Sequence, residues 1–276
     1  MGIKITPIID QPALIVSNTE KALVIADIHL GIEWDLYKSG ISIPSQTEKH
    51  LEKIKEYFKQ SSPDRIILPG DVKHNVPRTS WQEKNEVPYF LEALTELAHV
   101  DIIPGNHDSG IESLLPENRN IKVHSSRGAV LDNVGYFHGH TWPDRELLKA
   151  EYVITAHNHP TVRFTDSLGY PTTETSWIRS RFNFNEFSNY QDLDAEPWNN
   201  PRVFVMPAFN ELCGGIAFNE SSHEDLLGPV FSTKAFELDE SEVYLLDGMY
   251  LGILKNIRKS SMTRKRSSRK IRNKKK

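Results

Sequence analysis

Five stretches of the chain share one design, in which a run of apolar residues ends in histidine, aspartate or asparagine side chains. The five stretches are 22–29, 65–71, 100–108, 134–140 and 152–159. Each apolar run is typical of a buried strand, and ligands of open α/β sheets bind at the carboxyl ends of the strands. Imidazole and carboxylate groups suit divalent ions such as Mn, Fe or Zn, and thiols are absent from all five stretches. The pattern predicts a metal site at one edge of a sheet.

The polar residues at the strand ends follow a specific order. They read D-x-H at 27–29, G-D at 70–71, G-N-H-D at 105–108, H-G at 138–139 and H-x-H at 157–159. This order resembles the calcineurin-like metallophosphoesterases. Stretches 27–33, 40–44 and 206–215 are also similar to the archaeal-type branch related to the nuclease subunit SbcD, and to ligase-associated DNA-repair phosphoesterases. The resemblance covers roughly residues 14–254. It implies an α/β fold in which a two-sheet sandwich is flanked by helices.

The family resemblance implies a pair of divalent ions about 3.5–4 Å apart, which would acidify a water and neutralise charge on the phosphoryl group. Asp71 matches the carboxylate that bridges the two ions. The other ligands implied are Asp27, His29 and His159 for one ion, and Asn106, His138 and His157 for the second. Alternate residues of an extended backbone share one side, so each D-x-H or H-x-H pair should reach the ions together. Mn²⁺ is the expected ion, with Fe, Zn, Ni and Mg as alternatives.

Further histidines near these ligands are candidates for catalysis. We assign His107 as the general acid, because an imidazole beside the metals can protonate the leaving oxygen, typically worth about 10²–10⁴-fold in rate. Asp108 either orients that ring or caps the turn. His74, the third residue after the G-D motif, either contacts substrate or is a surface-loop histidine. His140 could replace His138 as a ligand, although the family pattern favours His138.

Strands and helices must deliver these residues to one place. A hairpin at 13–26 leads to the first motif, and Leu51, Ile54 and Phe58 give one apolar helical face. A second helix is predicted at about 87–98. Strand–helix–strand alternation favours parallel crossovers, whereas the later strands, near residues 130, 136, 153 and 203, have short connections that favour antiparallel pairing. Residues 161–200 interleave eight aromatic residues with arginine. They form either a strand pair with a surface loop or a surface that stacks bases.

Two positions depart from the family pattern. Ala156 replaces the glycine that usually precedes the H-x-H pair, and its compact side chain should be tolerated. Ser/Thr protein phosphatases carry the motif G-D-x-V-D-R-G here, in which the arginine binds phosphate. Segment 70–75 lacks both the second aspartate and the arginine of this motif. The sequence therefore favours a phosphodiesterase that acts on DNA or RNA. The alternatives are a phosphoesterase of nucleotides or cyclic nucleotides, and a nucleic-acid-binding protein with a structural metal, which the full ligand set argues against.

Charge is divided unevenly along the chain. Residues 255–276 hold twelve Lys or Arg and no acid, whereas residues 1–254 hold 21 basic and 37 acidic residues, a net charge of −16. We predict a phosphoesterase domain at 1–254 and a basic disordered tail at 255–276. The tail is either a solubilising or targeting extension or a nonspecific nucleic-acid arm. Nucleic acid is the expected partner, together with a repair helicase or ligase.

Cysteine content and hydropathy bear on the compartment. The single Cys213 excludes an internal disulfide and a cysteine-rich zinc module, which suits a reducing environment. No apolar run approaches the length that spans a membrane. The expectation is a cytoplasmic protein without membrane contact.

Overall fold

Six strands from the first half of the chain form one mixed sheet in the computed structural model, which describes residues 2–117, 120–190 and 198–258. They are β1 (Lys4–Pro7), β2 (Ala13–Ser17), β3 (Lys21–Ile25), β4 (Arg65–Pro69), β5 (His99–Ile103) and β6 (Ile121–Val123). The strands lie in chain order, with β1 to β3 antiparallel and β3 to β6 parallel. The predicted hairpin at 13–26 is confirmed as the β2–β3 pair.

Helices make the crossovers that parallel pairing requires. The short α1 (Ile32–Lys38) and the longer α2 (Thr47–Ser61) connect β3 to β4, and α3 (Trp81–Thr95) connects β4 to β5. The longer crossover helix buries Leu51 and Ile54 as predicted, with Tyr57 rather than Phe58 completing the fully buried face. None of the helices in the described ranges is long and apolar enough to cross a membrane.

Helix α3 begins earlier than the predicted position near residue 87. Ser80 accepts from the backbone N–H of Glu83, and the Glu83 side chain accepts in return from the N–H of Ser80. This reciprocal capping box satisfies two N–H groups at the start of the helix. It fixes the entry of α3 directly after the loop that follows Asp71.

Nine strands from the second half form the other sheet. They are β7 (Ala129–Leu131), β8 (Val134–Tyr136), β9 (Tyr152–Thr155), β10 (Pro160–Thr165), β11 (Pro171–Arg181), β12 (Arg202–Val205), β13 (Ile216–Ala217), β14 (Glu242–Leu245) and β15 (Tyr250–Ile253). The main order is β13-β10-β11-β12-β9-β8-β7, and β14 pairs with both β11 and β15. The expectation of antiparallel pairing is wrong for β8–β9 and β9–β12, which are parallel. In each case the connection is longer than a tight turn: residues 137–151 connect β8 to β9, and the β10–β11 hairpin of the same sheet lies between β9 and β12 in the chain.

The two sheets pack face to face, and successive residues of each strand point to opposite faces of its sheet, so they belong to different clusters of the core. In β4, Ile67 lies in the cluster between the sheets, with Val24, Ile103, Ile154 and Met206. The neighbouring residues of β4 face the cluster beneath α2 and α3. A third cluster covers the outer face of the second sheet beneath α4 (Phe184–Ser188) and α5 (Pro229–Ser232). The predicted two-sheet α/β sandwich flanked by helices is confirmed.

The aromatic segment 161–200 follows the strand-pair alternative. It contains the β10–β11 hairpin, and Trp177, Phe182 and Phe187 are buried in the core. Residues 191–197 lie outside the described part of the chain. The buried rings of this segment therefore stabilise the second sheet.

The described chain continues past the domain boundary predicted at residue 254. Residues 254–258 are helical, and two of their side chains pair with the body. Lys255 Nζ lies 2.7 Å from a carboxylate oxygen of Glu240, and Arg258 pairs with Asp239. The first part of the predicted tail is thus anchored, and 259–276 lie outside the described residues.

Candidate metal centre

Two tight turns carry four of the predicted ligands. Strand β3 ends at Ile25 and β9 at Thr155, so both motifs lie beyond their strands. The φ angles are +55° at Asp27, +47° at His29, +71° at His157 and +42° at His159. The expectation of an extended backbone is therefore wrong. Left-handed φ angles at non-glycine residues are uncommon and cost energy, and they cluster at functional sites.

The first of these turns, at 26–29, is held by a segment that follows β12. Phe209 N–H donates to the Ala26 carbonyl at 2.9 Å, and Asn210 N–H donates to the Asp27 carbonyl at 3.4 Å. The buried Asn210 side chain also donates to the Ile28 carbonyl at 2.9 Å. Asn210 lies in the 206–215 stretch that carries part of the family resemblance, but the sequence did not single it out as a contact of this turn.

Two buried carboxylates lie side by side at the centre. Asp71 N–H donates to Oδ1 of Asp27 at 3.3 Å, and both side chains are buried. A Cβ atom at Gly105 would collide with the Asp71 carboxylate, and one at Gly70 would collide with Asp27. Gly70 also has a φ of +132°, which side chains rarely adopt. Glycine is therefore required where the backbone passes closest to these carboxylates.

Imidazole nitrogens surround the two carboxylates. His138 Nε2 lies 3.1 Å from Oδ1 of Asp27 and 3.6 Å from Oδ2 of Asp71. His159 Nε2 lies 3.2 Å from Oδ2 of Asp27. His29 Nε2 lies 3.7 Å from Oδ2 of Asp71. His159 Nδ1 lies 2.8 Å from the Gly214 carbonyl, which can only accept, so Nε2 keeps a lone pair directed at the centre.

Two groups consist only of predicted ligands, and within each group the possible ligand atoms lie within 4.8 Å of one another. One group is Asp27, His29 and Asp71, and the other is Asp71, His138 and His157. Asp71 belongs to both groups. Nε2 of His29 is buried without a hydrogen-bond partner among the described residues. These nitrogen and oxygen donors fit a dinuclear centre of divalent ions.

Asn106 is the remaining residue of the predicted ligand set. It lies between Gly105 and His107 at the tip of the turn after β5, and its side chain is exposed. That side chain makes no hydrogen bond within the described part of the chain. Its role as a ligand stays a prediction.

Charge in the centre is distributed unevenly. Burial acts to raise the pKa of Asp27, but His159 and His138 outweigh it and hold that pKa well below its usual value. Burial raises the pKa of Asp71, and Asp27 adds to the rise. Burial acts to lower the pKa of His138, but Asp27 and Asp71 overcome it and raise that pKa. Burial lowers the pKa of His157 to about 3, with a contribution from His138. Two buried carboxylates next to each other require positive charge to stabilise their ionised forms, and bound cations would provide it.

The three catalytic candidates occupy different environments. The rings of His107 and His74 stack at 5.4 Å between centroids, and His107 Nδ1 contacts the His74 carbonyl. His74 Nδ1 lies 3.2 Å from His29 Nδ1, so it belongs to the centre rather than to a surface loop. Asp108 accepts backbone N–H groups from Val72, Lys73 and Gly105, as in the turn-capping alternative. Burial, with Asp71 contributing, raises its pKa to about 7.

Two further residues adjoin the predicted ligands. His140 Nδ1 lies 3.0 Å from His138 Nδ1, on the side of that ring away from the carboxylates. A thiol also reaches the centre, although the five ligand stretches contain none. Cys213 groups with His29 and His159 within 4.8 Å. Burial raises the pKa of this thiol, and Asp27 and Asp71 add to the rise. Its position within the 206–215 stretch was the available signal in the sequence, and the predicted ligand set did not include it.

A two-sheet α/β fold with a shared Asp71 between two His/Asp groups defines a metallophosphoesterase, a hydrolase. Residues 21–219 match the family model described as calcineurin-like phosphoesterase, and the chain belongs to this family.

Two solved structures are similar at low identity. The nuclease MPE from Pseudomonas putida is 17% identical with a TM-score of 0.48, over 91% of this chain and 100% of that chain. YfcE, a phosphoesterase from E. coli, is 20% identical with a TM-score of 0.34, over 53% of this chain and 74% of that chain. At these TM-scores neither likeness bears on the substrate of this chain.

Proposed function

We propose that the protein is a phosphodiesterase that cleaves DNA or RNA in nucleic-acid repair or processing, with Mn²⁺ as the expected ion. The ligands are Asp27, His29 and His159 at one position, Asn106, His138 and His157 at the other, and Asp71 between them. The observation that carries the choice of nucleic acid is an exposed aromatic pair beside the centre.

This pair lies on α1, directly after the first turn. The rings of Trp34 and Tyr37 stack at 5.8 Å and 24°, and the residues are 41% and 60% exposed. Asp35, between them in sequence, places a carboxylate oxygen 4.0 Å from His74 Nε2. The helix that carries the pair therefore adjoins the histidines at which a scissile phosphate would bind. Stacking of a base on an exposed ring is worth about 1–3 kcal/mol.

The loop after Asp71 supports a diester rather than a monoester. Asn75 occupies the position of the phosphatase arginine, and its side-chain amide donates to the Gly31 carbonyl at 3.3 Å. Lys73 is fully buried, and its Nζ donates to the Asn75 carbonyl at 2.7 Å. Neither side chain offers a free cation to the extra negative charge of a monoester.

The chemistry requires a nucleophile and an acid. Bound divalent ions would supply an activated water and positive charge against the phosphoryl oxygens. Because the His74 carbonyl accepts from Nδ1 of His107, Nε2 is the nitrogen that carries the second proton of the imidazolium form and would deliver it to the leaving oxygen. Nε2 lies 4.0 Å from Oδ2 of Asp71, so the acid is adjacent to the shared carboxylate. The stacked His74 ring restricts rotation of the acid.

The substrate class is tested with the full chain loaded with Mn²⁺. We expect a bis-aryl phosphodiester to be hydrolysed faster than an aryl monoester, single-stranded DNA or RNA to be cleaved, and chelator to abolish all activity. A monoester preferred by tenfold or more would point instead to a small-molecule phosphoesterase.

The aromatic pair is tested separately. Trp34→Ala and Tyr37→Ala should each raise KM for a short oligonucleotide about tenfold, because each removes a stacking surface. The bis-aryl diester lacks a base and should be turned over as before. Tyr170→Ala is the matched control, since Tyr170 is exposed in the β10–β11 turn, roughly 20 Å of strand away from His159. An equal KM for all variants would remove this support for nucleic acid.

A further inference from the structure

Cys213 is the chain's only cysteine, and the ligand set of the proposed centre leaves it unused. Its sulfur lies within 4.8 Å of ligand nitrogens of both His29 and His159. The thiol makes no hydrogen bond within the described residues. Its neighbourhood is therefore that of a potential ligand rather than of a residue committed to packing.

A second observation at the same position also points to a ligand. His29 is only 4% exposed, and its Nε2 has no hydrogen-bond partner in the described part of the chain. A buried imidazole nitrogen without a partner is costly unless something binds it. His29 is common to the group with Asp27 and Asp71 and to the group with His159 and Cys213, so the sulfur adjoins the position of one ion.

The backbone holds the sulfur in place. Cys213 N–H donates to the Asn210 carbonyl at 3.1 Å, which closes the turn that brings the thiol back toward the centre. The same Asn210 is hydrogen-bonded to the turn containing Asp27. On the other side, the Gly214 carbonyl lies 2.8 Å from His159 Nδ1. The backbone on both sides of Cys213 is thus hydrogen-bonded, on one side to Asn210, which holds the Asp27 turn, and on the other to His159.

We propose that Cys213 is a thiolate ligand of the ion held by Asp27, His29 and His159. On binding, the S–H bond breaks, a sulfur–metal bond forms, and the proton passes to solvent. Sulfur ligands favour zinc, cobalt and other thiophilic ions over manganese. The two positions therefore differ in metal preference, since the Asp71–His138–His157 position has nitrogen and oxygen donors only. This inference requires metal binding but not a nucleic-acid substrate.

Cobalt titration of the metal-free full chain tests the bond directly. Thiolate ligation of Co²⁺ produces a near-ultraviolet charge-transfer band, and with one cysteine in the chain such a band has a single source. We expect the band in the wild type and its loss in Cys213→Ser, with cobalt still bound at the other position. In a competition titration with a chelator, Cys213→Ser should bind Zn²⁺ at least tenfold more weakly than the wild type does. Its affinity for Mn²⁺ should change little.

A relocated thiol provides the matched control. The double variant Cys213→Ser with Ser167→Cys has one thiol in the exposed β10–β11 turn, where it cannot reach the centre. Cobalt should slow alkylation of the wild-type thiol by iodoacetamide at least tenfold and leave the relocated thiol unaffected. Circular dichroism of the metal-free proteins checks folding. If the wild type binds cobalt fully but shows no charge-transfer band, and cobalt does not slow its alkylation, the proposal that Cys213 is a ligand is overturned while the metal centre stands. A wild type that binds no cobalt overturns both this ligand and the proposed metal centre.

Discussion

The backbone N–H of His107 donates to Oδ1 of Asp71 at 2.7 Å, and it thereby joins the proposed acid to the carboxylate shared by both His/Asp groups. The other oxygen of Asp71 faces Nε2 of His29 and of His138. A change in the side chain of His107 should therefore leave this backbone bond, and the metal ligands, in place. Proton transfer and metal binding can be separated by mutation.

His107→Asn should keep the bound metal and lose about 10²-fold or more in kcat on an oligonucleotide, whose alkoxide leaving group needs a proton. The loss should be much smaller for a bis-nitrophenyl diester, because nitrophenolate leaves without protonation. Kinetics on both substrates, with elemental analysis of each protein, check this. Equal activity of variant and wild type on the oligonucleotide would remove His107 as the acid.

Asp108→Ala should destabilise the protein without removing a catalytic group. Its carboxylate accepts three backbone N–H groups at 2.9–3.1 Å, and burial leaves them no water to replace it. We expect the free energy of unfolding to fall by about 2–4 kcal/mol, with Asp108→Asn losing less. Urea unfolding measures this, and the exposed Ser109→Ala is the control. A fully active, equally stable Asp108→Ala would contradict the capping role.

Asp101 should make stability depend on pH at acid values. It accepts from His124 Nε2 at 2.7 Å and from Arg65 at 2.9 Å. Burial acts to raise the pKa of Asp101, but the His124 hydrogen bond and the Arg65 charge outweigh it and lower that pKa. The stabilisation is therefore present above the unfolded pKa of about 3.9 and lost as pH falls through the lower folded value.

The test is urea unfolding of Asp101→Asn at pH 7 and near pH 3. At pH 7 the variant should be less stable by about 1–3 kcal/mol, and the difference from wild type should shrink at the acid pH. The exposed Glu224→Gln should match wild type at both values. A difference that persists undiminished in acid would show that the charge of Asp101 is not its source.

The sequence predicted the fold and the clustering of most candidate ligands, because the carboxyl ends of neighbouring parallel strands lie at the same edge of a sheet. It did not predict the left-handed turns at Asp27 and His157, since strand periodicity says nothing about φ beyond the strand end. It also missed Asn210, because a hydrogen bond to a backbone carbonyl leaves no motif. From the sequence, the single Cys213 served only to exclude a disulfide and a cysteine-rich zinc module. The tertiary structure places it beside His159.

Removal of 259–276 should weaken nucleic-acid binding and flatten its salt dependence. The truncation retains Lys255 and Arg258, which pair with Glu240 and Asp239, and removes ten of the twelve basic residues of 255–276. If half of those ten charges engage phosphates of duplex DNA, the slope of log affinity against log salt should change by about four to five units. Turnover of the bis-aryl diester should be unchanged. Equal DNA affinity and slope would leave the tail as a solubilising or targeting extension.

The central claim is that Asp71 is shared between two metal positions, and the direct measurement is the metal content of Asp71→Asn. Wild type, Asp71→Asn and the exposed control Asp64→Asn, at the opposite end of β4, are loaded with Mn²⁺, freed of excess metal and analysed for bound manganese and circular dichroism. We expect two ions per chain in wild type and control, and loss of most bound metal and of activity in a folded Asp71→Asn. Two ions per chain retained by Asp71→Asn would contradict the shared carboxylate.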